Sequence, residues 1–291
     1  MLDTLILAPS VYVVGSTAFD PDGLAEWVKD RDFEADERFE GSPLKNILDG
    51  GSMLTPEQSP AELLSELSGR FCYNSFMAGR SSADYLANVI EMQHGSVLEH
   101  VTFNMIIEGV SRSLTHELIR HRAGFSPSQE SQRYVDAKDI RFVVPPLLIH
   151  QTNGDLSHPR MVDFAHRCEV ELGFYVAEQR AYMDAFTAEA TAEGKELTVK
   201  ERTLLKKRAN EAARSMLPNA AETRLMWTGN LRSLRHLLEL RGDTFADLEI
   251  RRLAVAIAMK IIQKSPYTFY DAEVRTGDYG VGTVAIGNHK V

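Results

Sequence analysis

The chain has 291 residues, 44% of them hydrophobic and 25% charged, the mix of a soluble globular protein with length for one large domain or two small ones. Its net charge of −9 argues against broad nucleic-acid binding, which needs a basic surface to release phosphate counterions. No apolar run approaches the roughly 20 residues that span a bilayer. Met1-Leu2-Asp3-Thr4 lacks the basic start of a signal peptide, and Cys72 and Cys168 form no CxxC pair, so a cytoplasmic protein without disulfides or a cysteine zinc site is expected.

From the N-terminus, Leu5 to Val14 contains the apolar stretch Val11-Tyr12-Val13-Val14 ended by Gly15, which predicts a strand. Residues 19–58, rich in Asp, Glu, Gly, Pro and Ser, read as a loop-rich surface segment with a short helix around Leu24 to Val28. Ser59-Pro60-Ala61-Glu62 opens a helix with a cap, a first-turn proline and a carboxylate at the positive dipole end. A second helix is predicted over Ser82 to Met92. In Val101 to Ile107 the apolar Phe103, Met105 and Ile107 alternate with Thr102 and Asn104, the period of a half-buried strand that Gly109 should break. Ser111 should cap a helix to about His121, followed by a Gly/Ser/Pro loop and a short strand at Phe142-Val143-Val144. Met161, Phe164, Cys168, Leu172 and Tyr175 recur at helical spacing in a helix reaching about Glu189, and another runs from Val199 until Pro218 stops it. Glu222 to Trp227 reads as a strand, and Leu231 to Leu240 and Asp247 to Gln263 as helices, the last with Leu248, Ile250, Leu253, Ile257 and Ile261 inward. Without a regular βαβ alternation, the expected class is α+β, mixed helices around a small antiparallel sheet, in one domain over 1–291.

Several familiar sites fail on spacing. His116-Glu117-Leu118-Ile119-Arg120-His121 places its histidines five apart, about 140° around a helix, so they do not share a metal, and no metal site is expected. The glycines of Gly277-Asp278-Tyr279-Gly280-Val281-Gly282 do not fit GxGxxG, and no GxxxxGK[ST] or GxSxG occurs. Cys72, in Arg70-Phe71-Cys72-Tyr73, has no activating base nearby and reads as a buried structural thiol.

The informative segment is Arg120-His121-Arg122, then Ser126, Ser128, Gln129, Glu130, Ser131 and Gln132, then Arg133-Tyr134. Arginine forks bind phosphate bidentately, and hydroxyls and amides supply directional bonds. A cation at a helix C-terminus explains one arginine, but not this run. An anionic-ligand site is the better reading.

These residues resemble the RHR signature of the flavin-dependent thymidylate synthase family. His94-Gly95-Ser96-Val97-Leu98-Glu99-His100, Ser111-Arg112-Ser113 and His116-Glu117-Leu118-Ile119 resemble it upstream. Arg214-Ser215-Met216-Leu217-Pro218-Asn219, Glu222-Thr223-Arg224, Thr228-Gly229-Asn230-Leu231-Arg232 and His236 through Arg241 do so downstream, in the family's order from about Arg70 to Asp271. Two departures stand out. Eight residues rather than the family's seven separate Arg122 from Ser131, the extra one near Gly124-Phe125, and residues 1–60 form a divergent N-terminal segment.

The resemblance implies FAD as cofactor, NADPH as its reductant, methylenetetrahydrofolate as carbon donor and dUMP as substrate, methylated to dTMP without an enzyme nucleophile. It implies a homotetramer with sites built from several subunits. Arg241 would be catalytic, stabilising the ionised uracil ring; by position alone it is also a helix C-terminal cation beside Gly242. Arg112, Glu117, Gln129, Ser131, Arg133 and Arg214 would join it in binding dUMP, although spacing alone equally allows a Glu117–Arg120 pair and a solvated Arg214. Ser96, Arg120, His121, Arg122, Asn230, Arg232 and His236 would hold FAD, with His94 near the flavin; His236 alone would pass for a packed or surface residue. Two alternatives remain: a family member acting on another pyrimidine nucleotide or making a hydroxymethyl product, and a non-catalytic nucleic-acid binder, which the charge disfavours.

Overall fold

The computed structural model describes residues 2–31, 59–76 and 80–291. Among the described residues the fold is α+β, with helices, a four-stranded sheet and two two-stranded pairings. In chain order the elements are β1 (Leu5–Ile6), β2 (Ser10–Ser16), α1 (Pro21–Asp30), α2 (Pro60–Tyr73), α3 (Ser82–Glu91), β3 (Thr102–Ser111), α4 (Arg112–Leu118), β4 (Phe125–Gln129), β5 (Phe142–Val143) and α5 (Pro146–Gln151). Then follow α6 (Pro159–Ala192), α7 (Val199–Ala213), β6 (Glu222–Asn230), α8 (Leu231–Arg241), α9 (Leu248–Lys264), β7 (Ala272–Arg275) and β8 (Thr283–Ile286). The main sheet has the order β2-β3-β6-β4. Its antiparallel sense shows where numbers rise on one strand as they fall on the next: Arg112 N donates to the Ala221 carbonyl, and Leu231 N to that of Val101. β1 pairs parallel with β5, and β7 antiparallel with β8.

The caps behave as their side chains dictate. Ser59 and Glu62 close a reciprocal capping box at α2, and Ser111 Oγ accepts from Leu114 N at the start of α4. β3 buries Phe103, Met105 and Ile107 as the alternation predicts, but Gly109 does not break it. With φ at +69° and room for a Cβ only 2.9 Å from the Ala8 carbonyl, this glycine lets the strand bend past residues 6–8 and run on to Ser111. α4 stops at Leu118, so the RHR run lies beyond the helix, and part of the expected Gly/Ser/Pro loop is strand β4, paired with β6. Edge pairing overrides the poor strand propensity of Ser126-Pro127-Ser128. The helix expected near Leu24 is α1; the rest of the acidic segment, 32–58, lies outside the described residues.

The chain divides into two compact units. The first comprises Met1–Ser10, Ile107–Arg120 and Ser128–Leu225. Here α6 packs on α7, burying Met161, Ala165, Cys168 and Tyr175 along one face. The second comprises Val11–Ile106, His121–Pro127 and Met226–Val291. Here α9 turns Ile250, Leu253, Ile257 and Ile261 inward with the 3–4 spacing of a helix stripe, while Leu248 is only half-buried. Cys72 is exposed on the last turn of α2, beside the equally exposed Phe71 and Tyr73, which corrects the expectation of a buried thiol. Cys168 is the buried one, its thiol pushed up to about 11 by burial and by Glu171 and Glu169.

Candidate active site

In the first unit, the nominated residues come from α4, the end of β4 with the turn after it, and the end of α7. Arg112, the first residue of α4, is half-buried, and its guanidinium is held below its ordinary pKa by burial and by the neighbouring charge of Arg214. Two like charges brought together, with Arg112 partly desolvated and Arg214 exposed, are costly until an anion neutralises them. Gln129 Nε2 donates to Thr115 Oγ1 at 3.2 Å and to Thr223 Oγ1 at 3.1 Å, so both amide protons are engaged and Oε1 is the atom offered to a ligand. Ser131 Oγ accepts from Arg133 N, tightening the turn after β4. Arg133 Nε bonds Glu211 at 3.1 Å, an exposed pair that steers the side chain more than it stabilises. Glu117 is half-buried near the end of α4, and Arg120 is exposed in the turn after it.

Sequence reading passed over the neighbours of this group. Lys207 Nζ donates to Tyr134 Oη at 2.7 Å and lies 4.4 Å above the ring. That lysine, through hydrogen bond and charge, lowers the Tyr134 phenol below its usual value. Tyr134 was visible in the signature, but Lys207 sits far along the chain on α7 and carries no local signal. A cavity of about 230 Å³ opens beside the group, lined by Glu130, Gln132, Arg141, Glu222 and Arg224 among others, and by none of the nominated residues. The bidentate Arg141–Glu222 pair, at 2.8 and 2.7 Å, forms part of its wall.

In the second unit the nominated residues gather around α8. Asn230 caps it, Oδ1 accepting from Ser233 N at 2.8 Å. Ser233 Oγ donates to the Ala123 carbonyl, and Asn230 N to that of Gly124, so the RHR loop is laced to the helix start. At Gly124, with φ at +72°, a Cβ would lie 2.0 Å from Ser233 Oγ. The loop can make this approach only through glycine. Phe125 then stacks on Trp227 with centroids 4.3 Å apart and planes 10° apart, and meets the His121 ring edge-on at 6.4 Å.

His121 Nε2 accepts from Arg241 Nε at 2.9 Å. Burial, then Arg241 and His236, push the imidazole down to about 4 from 6.5. The histidine is therefore a neutral acceptor that orients the guanidinium. Arg122, Ser96 and His236 are exposed, and Arg232 is half-buried, paired with Glu99 at 2.5 Å. Tyr73 stacks on His94 at 5.6 Å. Among the described residues no group of three or more His, Cys, Asp or Glu side chains could hold a metal ion.

The donor set of this unit fits a flavin dinucleotide in kind: guanidinium groups for a diphosphate, and amide, hydroxyl and neutral imidazole for ribose and ring atoms. Comparison with known proteins bears on the same point. Residues 54–267 match the family model described as thymidylate synthase complementing protein. A protein of Mycobacterium sp. (strain JLS) named flavin-dependent thymidylate synthase is 42% identical over 220 residues, 72% of this chain and 80% of that one. A protein of Mycobacterium tuberculosis (strain ATCC 25177 / H37Ra) with the same name is 40% identical over 226 residues, 76% and 84% of the two chains. With a family model matched over most of the chain and relatives this similar over most of their length, the chain belongs to the flavin-dependent thymidylate synthase family.

Proposed function

We propose that this chain converts dUMP to dTMP by reductive methylation, with methylenetetrahydrofolate giving the carbon and NADPH reducing a bound FAD. The observation that carries the reading is the family match over residues 54–267, and the half-buried Arg112 with Arg214 near it is a cationic pair suited to a nucleotide monophosphate dianion. Glu117, Gln129, Ser131 and Arg133 complete the dUMP set, with Gln129 Oε1 accepting from a sugar hydroxyl. Ser96, Arg120, His121, Arg122, Asn230, Arg232 and His236 hold the cofactor. When bound, FAD supplies the electrons that turn the transferred carbon into a methyl group.

Arg241 is the catalytic residue. Its guanidinium stabilises the negative charge left on the uracil ring when a ring proton is lost, the preorganised electrostatic catalysis typical of such sites. His121 serves it by accepting from Nε while adding no positive charge of its own. The buried Cys168 takes no part, its thiol being held protonated well above neutral pH. The whole chain acts as one catalytic domain, residues 1–60 being a divergent segment, and works as a cytoplasmic homotetramer. No helix among the described residues is long and apolar enough to cross a membrane.

The test is the visible spectrum of the purified protein given FAD, before and after NADPH with dUMP. Flavin bands that bleach on reduction, followed by dTMP when methylenetetrahydrofolate is added, are expected; a protein that takes up no flavin overturns the reading. The eight-residue spacing from Arg122 to Ser131 and the divergent N-terminal segment leave a second reading open, a hydroxymethyl product or another pyrimidine nucleotide, and analysis of the same reaction's product separates the two.

A further inference from the structure

Residues 288–291 are bound along the second unit by a series of specific contacts. Asn288 N and Nδ2 both donate to Asp271 Oδ2, at 2.7 and 2.9 Å, and the buried Arg235 grips both oxygens of that carboxylate. Glu239 on α8 accepts from Lys290 N and pairs with the His289 ring, while Gln93 Nε2 donates to the His289 carbonyl. Val291 is buried, and its backbone oxygen accepts from Arg232 Nε at 3.1 Å. Gly95 forms the floor: a Cβ there would lie 2.4 Å from the Val291 carbonyl carbon, so only glycine lets the two main chains meet. On its other side Arg232 donates from Nη1 to Glu99.

The Arg232 guanidinium is thus fixed from two directions at Nε and Nη1, with Nη2 as the edge it presents. A long, rotamer-rich side chain normally loses conformational entropy when it grips a ligand; here the ordering has already occurred. We propose that residues 288–291 are a strap that, with Glu99, holds Arg232 ready for the anionic part of FAD. Gly95, Glu99 and Val291 are then positioning residues for the cofactor, a role that rests on the cofactor reading of Arg232.

Apoprotein is titrated with FAD by flavin fluorescence for three chains: the full chain, the chain shortened to residue 287, and Gly95→Ala, which displaces the strap without removing it. Both altered chains should bind FAD roughly two- to tenfold more weakly, the cost of ordering one rotamer-rich side chain on binding. Their dUMP affinity should stay within about twofold, since neither change touches a residue nominated to bind dUMP. In an Arg232→Ala background, shortening should cost nothing further, as befits residues acting through Arg232. Unchanged or tighter FAD binding by both altered chains, or an equal loss in the Arg232→Ala background, overturns the strap. A full chain that binds no FAD overturns the functional reading instead. Should the shortened chain fail to fold, Gly95→Ala alone carries the comparison.

Discussion

His121 shows how a single side chain is set by its surroundings. Burial, then the charge of Arg241 and the neighbouring His236, push its pKa down to about 4 from 6.5. The folded protein therefore binds fewer protons than the unfolded chain between those values. The contribution of this group is fully present above pH 6.5, and stability falls as pH drops through the window toward 4. Following the His121 ring by NMR should give a midpoint near 4. In Arg241→Ala the midpoint should rise only part of the way to 6.5, because burial is the larger cause; an unshifted midpoint would refute the pairing. The RHR cluster was legible in sequence because its residues are adjacent and chemically uniform. The bond from Arg241 to His121 was not, because it joins positions 120 apart and neither side chain announces its partner. The same holds for Gln129, whose partner Thr223 is 94 residues away.

Among the elements, those that announced themselves carry their own chemistry. Ser59-Pro60 and Glu62 start α2 by local hydrogen bonds, and the period-two pattern of β3 requires only its own residues. β4 was misread because pairing with β6, not propensity, makes it a strand. The β7–β8 pairing went unread although Asp278-Tyr279-Gly280 between the strands is turn-forming. The start of α2 also reaches beyond itself. The buried Glu62 accepts from Ser59 N through Oε2 and from Tyr267 N and Thr268 N through Oε1. Ser59→Ala removes only a cap and should cost about 0.5–2 kcal/mol. Glu62→Ala leaves several N–H groups without a partner, at about 1–3 kcal/mol for each one buried. Denaturant unfolding should rank Glu62→Ala clearly below Ser59→Ala in stability, and equal losses would refute this account.

At the scale of the molecule, the contrast is between a net charge of −9 and a local excess of arginine at the nominated sites. Like charges held together without an anion destabilise the empty protein, so ligand binding should be read out as stability. FAD at about 100 times its dissociation constant should stabilise the folded state by about 2.7 kcal/mol through mass action alone. Thermal melting with and without FAD measures this, and an unmoved transition would speak against a cofactor site. The α+β class was legible because helices and strands follow one another without βαβ rhythm; the division into two units was not, because each draws on three separate stretches of chain. The stacking of Phe125 on Trp227 has an optical consequence. Only two tryptophans occur in the chain, so Trp27→Phe would leave one indole, buried in β6 and pressed against the loop that carries His121. Its emission would report, without any label, whether that loop keeps its seat as ligands come and go.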